Sequence, residues 1–252
     1  WINEPPLAAY WQKGFNSPDG YESYLPSVID FPFSKSIDLA IGKDSKPHNI
    51  KAIYYTLAQD FVYPDPLNNV IFLDNHDTER FYGTMGKDIR KYKMGFALLM
   101  INRGIPQMYY GAEINLFGTR AKGDGDIRKD FPGGWAEDKR NAFTKDGRTK
   151  EENDLWDFCS NLLNWRKNNS TIHSGNLMQF NPLGDHVYSM FRYDNQKVIG
   201  LLINPNEKQV NVDTERYDEL VKTQKHYIDI LDGKKKKWKS QLSIPAVGFR
   251  II

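Results

Sequence analysis

Four apolar residues, Val70, Ile71, Phe72 and Leu73, follow one another and give way abruptly to Asp74, Asn75, His76 and Asp77. A short unbroken apolar run, β-branched and aromatic, predicts a strand buried on both faces, as in a parallel sheet. A second run at 25–33 predicts another strand, with Pro32 near its end, where no further ladder donor is needed. A short helical turn is expected at 7–11. Ser36 to Ile41 reads as the start of a helical region. Ile50, Ile53, Tyr54 and Leu57 recur at helical spacing and predict a helix over 48–59, stopped by Tyr63-Pro64-Asp65-Pro66. Asp88 is placed to cap a helix over 89–102 whose apolar surface is broad enough to be buried against a sheet, with Gly104 as its C-cap. Residues 106–110 then form the next strand, so strand, helix and strand read as a right-handed βαβ crossover.

Residues 115–150 are polar and glycine-rich. A loop of that length is functional or disordered as a rule, and Phe131, Trp135 and Phe143 argue for order. Thr149 and Glu152 have the spacing of a capping box. The helix after them runs to about 168–169, with Trp156, Cys159 and Leu163 on one face and Leu155, Phe158 and Leu162 beside it. From Gly175 the period changes to two. Strands are expected at 187–193, 197–203, 209–212, 227–231, 238–244 and 248–252, with turns at Asp194-Asn195-Gln196 and Asp232-Gly233. These make an antiparallel β-sandwich. The lysines at 234–237 read as a solvated hairpin tip. The fold class is therefore α/β plus all-β, divided into residues 1–174 and residues 175–252.

Composition changes this picture little. With 252 residues, net charge +2 and one cysteine, the chain is long enough for a large core and has no intramolecular disulfide. Bulk charge points to no nucleic acid and no membrane surface as partner, and no apolar run approaches spanning length. The 14 Tyr, 14 Phe and 6 Trp suit both a packed core and sugar stacking. Nothing in the sequence distinguishes a periplasmic from a cytoplasmic location.

The chemistry concentrates where the run at 70–73 ends, because parallel strands carry functional groups at their C-terminal ends. The stretch Phe72-Leu73-Asp74-Asn75-His76-Asp77 resembles the seventh-strand motif of the α-amylase superfamily of glycoside hydrolases. Gly104-Ile105-Pro106-Gln107-Met108-Tyr109-Tyr110-Gly111-Ala112-Glu113 is similar to its eighth strand. Asp124-Gly125-Asp126-Ile127-Arg128-Lys129-Asp130-Phe131-Pro132-Gly133-Gly134-Trp135 resembles its neopullulanase and cyclomaltodextrinase branch, and residues 25–33 look like its sixth strand. The three motifs occur in the family's order.

The resemblance implies that residues 1–174 are the C-terminal part of a (β/α)8 barrel, about three βα units, followed by the β-sandwich domain. It implies a retaining mechanism on α-1,4-glucosidic bonds of maltodextrin, cyclodextrin or pullulan. Asp77 would be the carboxylate that stabilises the oxocarbenium-like transition state. His76, Asp124 and Arg128 would bind substrate, and Trp135 is either a stacking platform or the plug of its loop. No cofactor and no metal are implied. Asp74 braces the strand end, Asp126 stands between a surface ion pair and a functional role, and Glu113 is more a structural partner than a catalyst.

The family's nucleophile motif, an Arg two residues before an Asp, does not occur ahead of Phe72. Trp1 looks like the Trp that follows the general-acid Glu, which would place that acid upstream of this sequence. Glu4, followed by two prolines, is not assigned the role. The chain by itself is therefore expected to be inactive, with an incomplete barrel that favours a homodimer or other association. A non-catalytic carbohydrate-binding protein on the same scaffold is the alternative. A metal-dependent phosphohydrolase built on the His76–Asp77 pair is disfavoured, since a buried strand ahead of the pair does not fit a helical metal scaffold.

Overall fold

Pro5, at the head of α1 (Pro5–Tyr10), lies near the start of the part of the chain that the computed structural model describes, residues 4–252. Proline suits a first turn, where its missing N–H would have had no partner. Trp1 lies outside the described residues.

The run at 25–33 departs from expectation. It contributes a single parallel bridge, Ile29 to Val70, in which Asp30 N–H donates to Val70 O at 2.8 Å and Val70 N–H to Val28 O at 2.8 Å. At Phe31 the backbone becomes helical and α2 (Phe31–Ile41) begins. The cause is local. The Asp30 carboxylate caps the helix by accepting from Phe33 N–H at 2.9 Å, and Pro32 sits in the first turn. One apolar run thus serves two elements, and Pro32 opens a helix where it was expected to close a strand.

A 3₁₀ turn (Pro47–Ile50) leads into α3 (Lys51–Leu57), shorter than the helix expected over 48–59, and α3 packs on α2. Strand β1 (Val70–Phe72), α4 (Phe81–Thr84), α5 (Ile89–Ile101) and β2 (Ile105–Gln107) follow. The two strands are parallel neighbours, with Val70 opposite Ile105 and Phe72 opposite Gln107. Asp88 caps α5, accepting from Arg90 N–H at 2.8 Å, and the helix is buried continuously from Met94 to Ile101. Its C-cap is Asn102. Gly104, two residues on, has φ of +97°, and a Cβ there would lie 2.6 Å from Asn69 O, so only glycine lets the chain pass that close to β1. The strand ends at Gln107, so Tyr109 and Tyr110 already lie beyond it.

After α6 (Asp124–Ile127) comes α7 (Lys150–Lys167), entered through the expected capping box. Thr149 N–H donates to Glu152 Oε2 at 2.7 Å and Glu152 N–H to Thr149 Oγ1 at 3.2 Å. Its buried face is Leu155, Cys159, Leu162 and Arg166, while Leu163 is exposed. A short α8 (Ser170–Ser174) precedes the β region.

That region contains β3 (Asn176–Phe180), β4 (Tyr188–Tyr193), β5 (Val198–Asn204), β6 (Val210–Asp213), α9 (Asp218–Val221), β7 (His226–Asp229), β8 (Lys234–Lys237), β9 (Gln241–Ile244) and β10 (Gly248–Ile251). The order β10-β5-β4-β3 makes an antiparallel sheet, accompanied by the antiparallel pairs β6–β9 and β7–β8. Strands β4 and β5 are apolar on both faces for a reason. Met190 and Leu201 join the core built on α5 and α7, whereas Phe191 and Leu202 join Val212 and Ile244 of β6 and β9. Two of these strands were not expected. The four lysines of β8 are no hairpin tip, since Lys236 is anchored between Asp229 and Asp232, each at 2.7 Å, and β8 pairs with β7. Strand β3 escapes detection because its residues, Asn-Leu-Met-Gln-Phe, do not alternate.

Candidate functional site

Beyond β1 the chain makes two tight hydrogen-bonded turns. Asp74 is buried, its carboxylate accepting from Phe81 N–H at 2.9 Å, and burial pushes its pKa up to about 6. Asn75 Oδ1 accepts from Asp77 N–H at 2.8 Å, and Asn75 N–H donates to Thr78 Oγ1 at 2.9 Å. This Asx turn presents His76, which is exposed, and Asp77, which is half-buried, side by side, with His76 Nε2 3.2 Å from Asp77 Oδ2.

Helix α6 brings the second half. Asp124 opens it and Arg128 is its C-cap, so the two lie one turn apart on the same face. Arg128 Nη2 is 2.9 Å from Asp124 Oδ2 and 3.1 Å from Asp77 Oδ1, and its Nε donates to His76 O at 2.7 Å. Arg120 donates to Asp77 O, while its own backbone N–H donates to Glu79 at 3.0 Å. His76, Asp77, Asp124 and Arg128 therefore form one cluster, although some of its members are 51 and 52 positions apart. Two carboxylates, an imidazole and two guanidinium groups at an open surface can bind hydroxyls and stabilise a developing positive charge.

The other candidates fall elsewhere. Asp126 accepts from Thr119 N–H at 2.7 Å and pairs with Lys129 at 3.0 Å; these two partners hold its carboxyl below the usual range and tie down the loop. Trp135 is 62% exposed and so does not plug its loop. Its N–H and that of Gly133 donate to Asp138. Glu113, whose carboxyl burial pushes up, lines a cavity of ≈ 430 Å³ with Met108, Trp156 and Cys159. Glu4 is the N-cap residue of α1 and makes no side-chain cap bond. Among the described residues no three His, Cys, Asp or Glu side chains are grouped to hold a metal ion.

The cluster is held together by Arg80. This fully buried side chain donates from Nε to Ile127 O at 2.8 Å and from Nη1 to Tyr110 O at 2.6 Å, and its guanidinium lies 4.1 Å from the Tyr109 ring centroid. It ties the Asp77 segment, the loop after β2 and the end of α6 to one another. Sequence periodicity does not reveal it, because its partners are backbone carbonyls 30 and 47 positions away.

Residues 177–252 match the family model described as cyclo-malto-dextrinase C-terminal domain. The chain is 28% identical over 209 residues to an α-amylase of Niallia circulans, covering 78% of this chain and 34% of that protein. It is 28% identical over 200 residues to a cyclomaltodextrin glucanotransferase of Geobacillus stearothermophilus, covering 77% and 25%. These matches support a relation to the α-amylase family. The α-amylase of Geobacillus thermoleovorans, solved in complex with acarbose, shares the fold, with a TM-score of 0.73 at 19% identity, over 100% of this chain and 51% of that one. The chain thus spans 34% and 25% of the length of those two relatives and 51% of that solved structure. Its match to the family model lies wholly in the β region, whereas the Asp77 cluster lies ahead of it.

Proposed function

We propose that this chain is part of a retaining glycoside hydrolase that cleaves α-1,4-glucosidic bonds in maltodextrin, cyclodextrin or pullulan, as in the neopullulanase and cyclomaltodextrinase branch. Residues 1–174 are its C-terminal barrel portion, with β1, β2 and the bridge at Ile29 as barrel strands, and residues 175–252 its β-sandwich domain. Asp77 stabilises the positively charged transition state, and His76, Asp124 and Arg128 hold the sugar next to the reacting bond. Trp135, exposed on the same loop, offers a stacking face. The nucleophile and the general acid come from a region outside this sequence.

The observation that carries this reading is the Arg128 guanidinium shared between Asp77 and Asp124. A surface ion pair of this exposure contributes little to stability, so keeping a half-buried carboxylate oriented at an open face makes sense as sugar binding. The test is turnover of maltohexaose and β-cyclodextrin by an enzyme carrying the chain together with its catalytic remainder. Turnover lost in Asp77→Asn supports the proposal. Saccharide binding without turnover would favour the non-catalytic alternative.

A further inference from the structure

A cleft of ≈ 480 Å³ lies between β5, Ile252 and the β7–β8 hairpin, and no residue of the Asp77 cluster lines it. Its floor is made by Phe191 lying across Gly200, where a Cβ would come within 2.5 Å of the ring. Three half-buried aromatic side chains wall it: Trp165 from α7, Tyr227 from β7 and Trp238 just after β8. Tyr227 and Trp238 pack edge to face, with centroids 5.8 Å apart at 89°.

The polar lining is specific in kind. The side chains of Gln196, Gln224 and His226 engage in none of the hydrogen bonds found among the described residues. The ammonium of Lys197 is already donated to Asn169. No Asp, Glu or Arg lines the cleft. Aromatic faces accept the C–H face of a pyranose ring, and amides both donate to and accept from its hydroxyl edge. The lack of a carboxylate and of a free ammonium selects a neutral ligand, and the volume falls within the range of small-molecule sites.

We infer that this cleft is a second saccharide site, taking a short neutral α-glucan, with Trp238 and Tyr227 supplying the stacking surface and Gln224 and Gln196 the hydrogen bonds. The α-glucan class rests on the proposed function; the presence of a neutral-sugar site rests on the cleft itself.

The test is titration of the 252-residue chain with maltotriose, followed by ¹H–¹⁵N spectra and calorimetry, for the parent sequence and for Trp238→Ala, Gln224→Ala and Asp77→Asn. Gln224 is exposed, so its variant keeps the parent melting temperature even if Trp238→Ala disturbs the core beneath it. Perturbed resonances should include a set at 196–200 and 224–238, separate from any at 76–77 and 124–128. Read at the resonances of 196–200 and 224–238, Trp238→Ala should weaken binding at least tenfold and Gln224→Ala severalfold, whereas Asp77→Asn acts only on the separate set at its own site. Binding that survives Trp238→Ala and Gln224→Ala but is lost in Asp77→Asn would overturn the inference while leaving the Asp77 site standing. Absence of any maltotriose binding would also overturn it, with the Asp77 assignment still decided by turnover. Equal affinity for cellotriose would overturn the α-glucan assignment.

Discussion

Arg128 Nη2 stands 3.1 Å from Asp77 Oδ1 and 2.9 Å from Asp124 Oδ2, so one guanidinium orients two carboxylates that arise from different segments of the chain. The pairing within α6 is local, one helical turn, whereas the pairing to Asp77 depends on the loop after β2 returning over the end of β1. A helix of four residues at that place has one evident effect, which is to deliver Asp124 and Arg128 to Asp77.

Arg128→Ala should therefore separate stability from binding. The side chain is 40% exposed, and its ion pairs contribute about 0–1 kcal/mol. Urea unfolding of the variant should stay within about 1 kcal/mol of the parent. In an active enzyme carrying the substitution, KM for maltohexaose should rise more than kcat falls. A variant with unchanged KM would remove Arg128 from the substrate site.

Asp77→Asn should show the opposite division. The carboxylate matters most when positive charge develops at the reacting carbon, so kcat should drop by about 10²–10³-fold, the size of effect seen when one electrostatic stabiliser is removed. KM should move less. Steady-state kinetics on an aryl α-maltoside with the catalytically complete protein checks this, and near-normal turnover would end the assignment.

Arg80→Met tests the framework beneath the cluster. It leaves the carbonyls of Ile127 and Tyr110 without their donor and removes the cation beside buried Asp74. A loss of about 2–4 kcal/mol is expected, from one to two unsatisfied buried groups. Chemical denaturation measures it, and crystallography of the variant should show α6 displaced relative to Asp77. A variant as stable as the parent would mean that Tyr109 and Tyr110 hold the loop unaided.

These residues also show what the sequence makes legible. Helix α5 is readable because Asp88 caps it and its apolar run is long; α7 is readable because Thr149 and Glu152 form a reciprocal box. The cluster is readable through motif resemblance, which names Asp77, His76, Asp124 and Arg128 but says nothing of their contacts. The run at 25–33 misleads because Asp30 and Pro32 supply a cap and a first-turn proline in the middle of it. Arg80 stays hidden because hydrogen bonds to distant backbone carbonyls leave no trace in side-chain pattern. Strand β8 is obscured by charge: three of its four lysines are exposed, and Lys236 is held by the carboxylates of Asp229 and Asp232.

Asp74 gives a pH prediction whose sign follows from burial. Its folded pKa is raised to about 6 from 3.8, so the folded state holds the proton more tightly than the unfolded chain does. Stability from this group is complete at low pH, and declines as pH rises from about 4 through 6. The difference corresponds to roughly 3 kcal/mol as an upper bound. Asp74→Asn keeps an oxygen to accept from Phe81 N–H and has no proton to lose. Its stability should fall less than the parent's between pH 4 and pH 7, measured by denaturation at matched ionic strength. Parallel pH profiles for parent and variant would show that Asp74 titrates normally. Asp38, also raised to about 6 by burial, contributes with the same sign and remains in both proteins.

The isolated chain should lack glycosidase activity and should associate. No Arg–x–Asp nucleophile motif precedes Phe72, and under the proposed mechanism a stabilising carboxylate cannot replace the groups that make and break bonds. The structure adds a physical consequence. Strand β2 has β1 as its one strand neighbour among the described residues, and Ile105 on β2 is 48% exposed. Ile29, at the bridge on the other side of β1, is 49% exposed, and Leu25 and Trp11 beside it are 50% and 41% exposed. Unpaired parallel edges with apolar residues at both ends of a small sheet recruit further strands or apolar surface. Light scattering of the purified chain should report a dimer or larger species, and activity on maltodextrin should be at background. Ile105→Lys and Ile29→Lys together should lower the mass towards the monomer value without creating activity. A monomer with robust turnover would mean that the catalytic carboxylates lie within this sequence, and Glu4 would be the first to substitute.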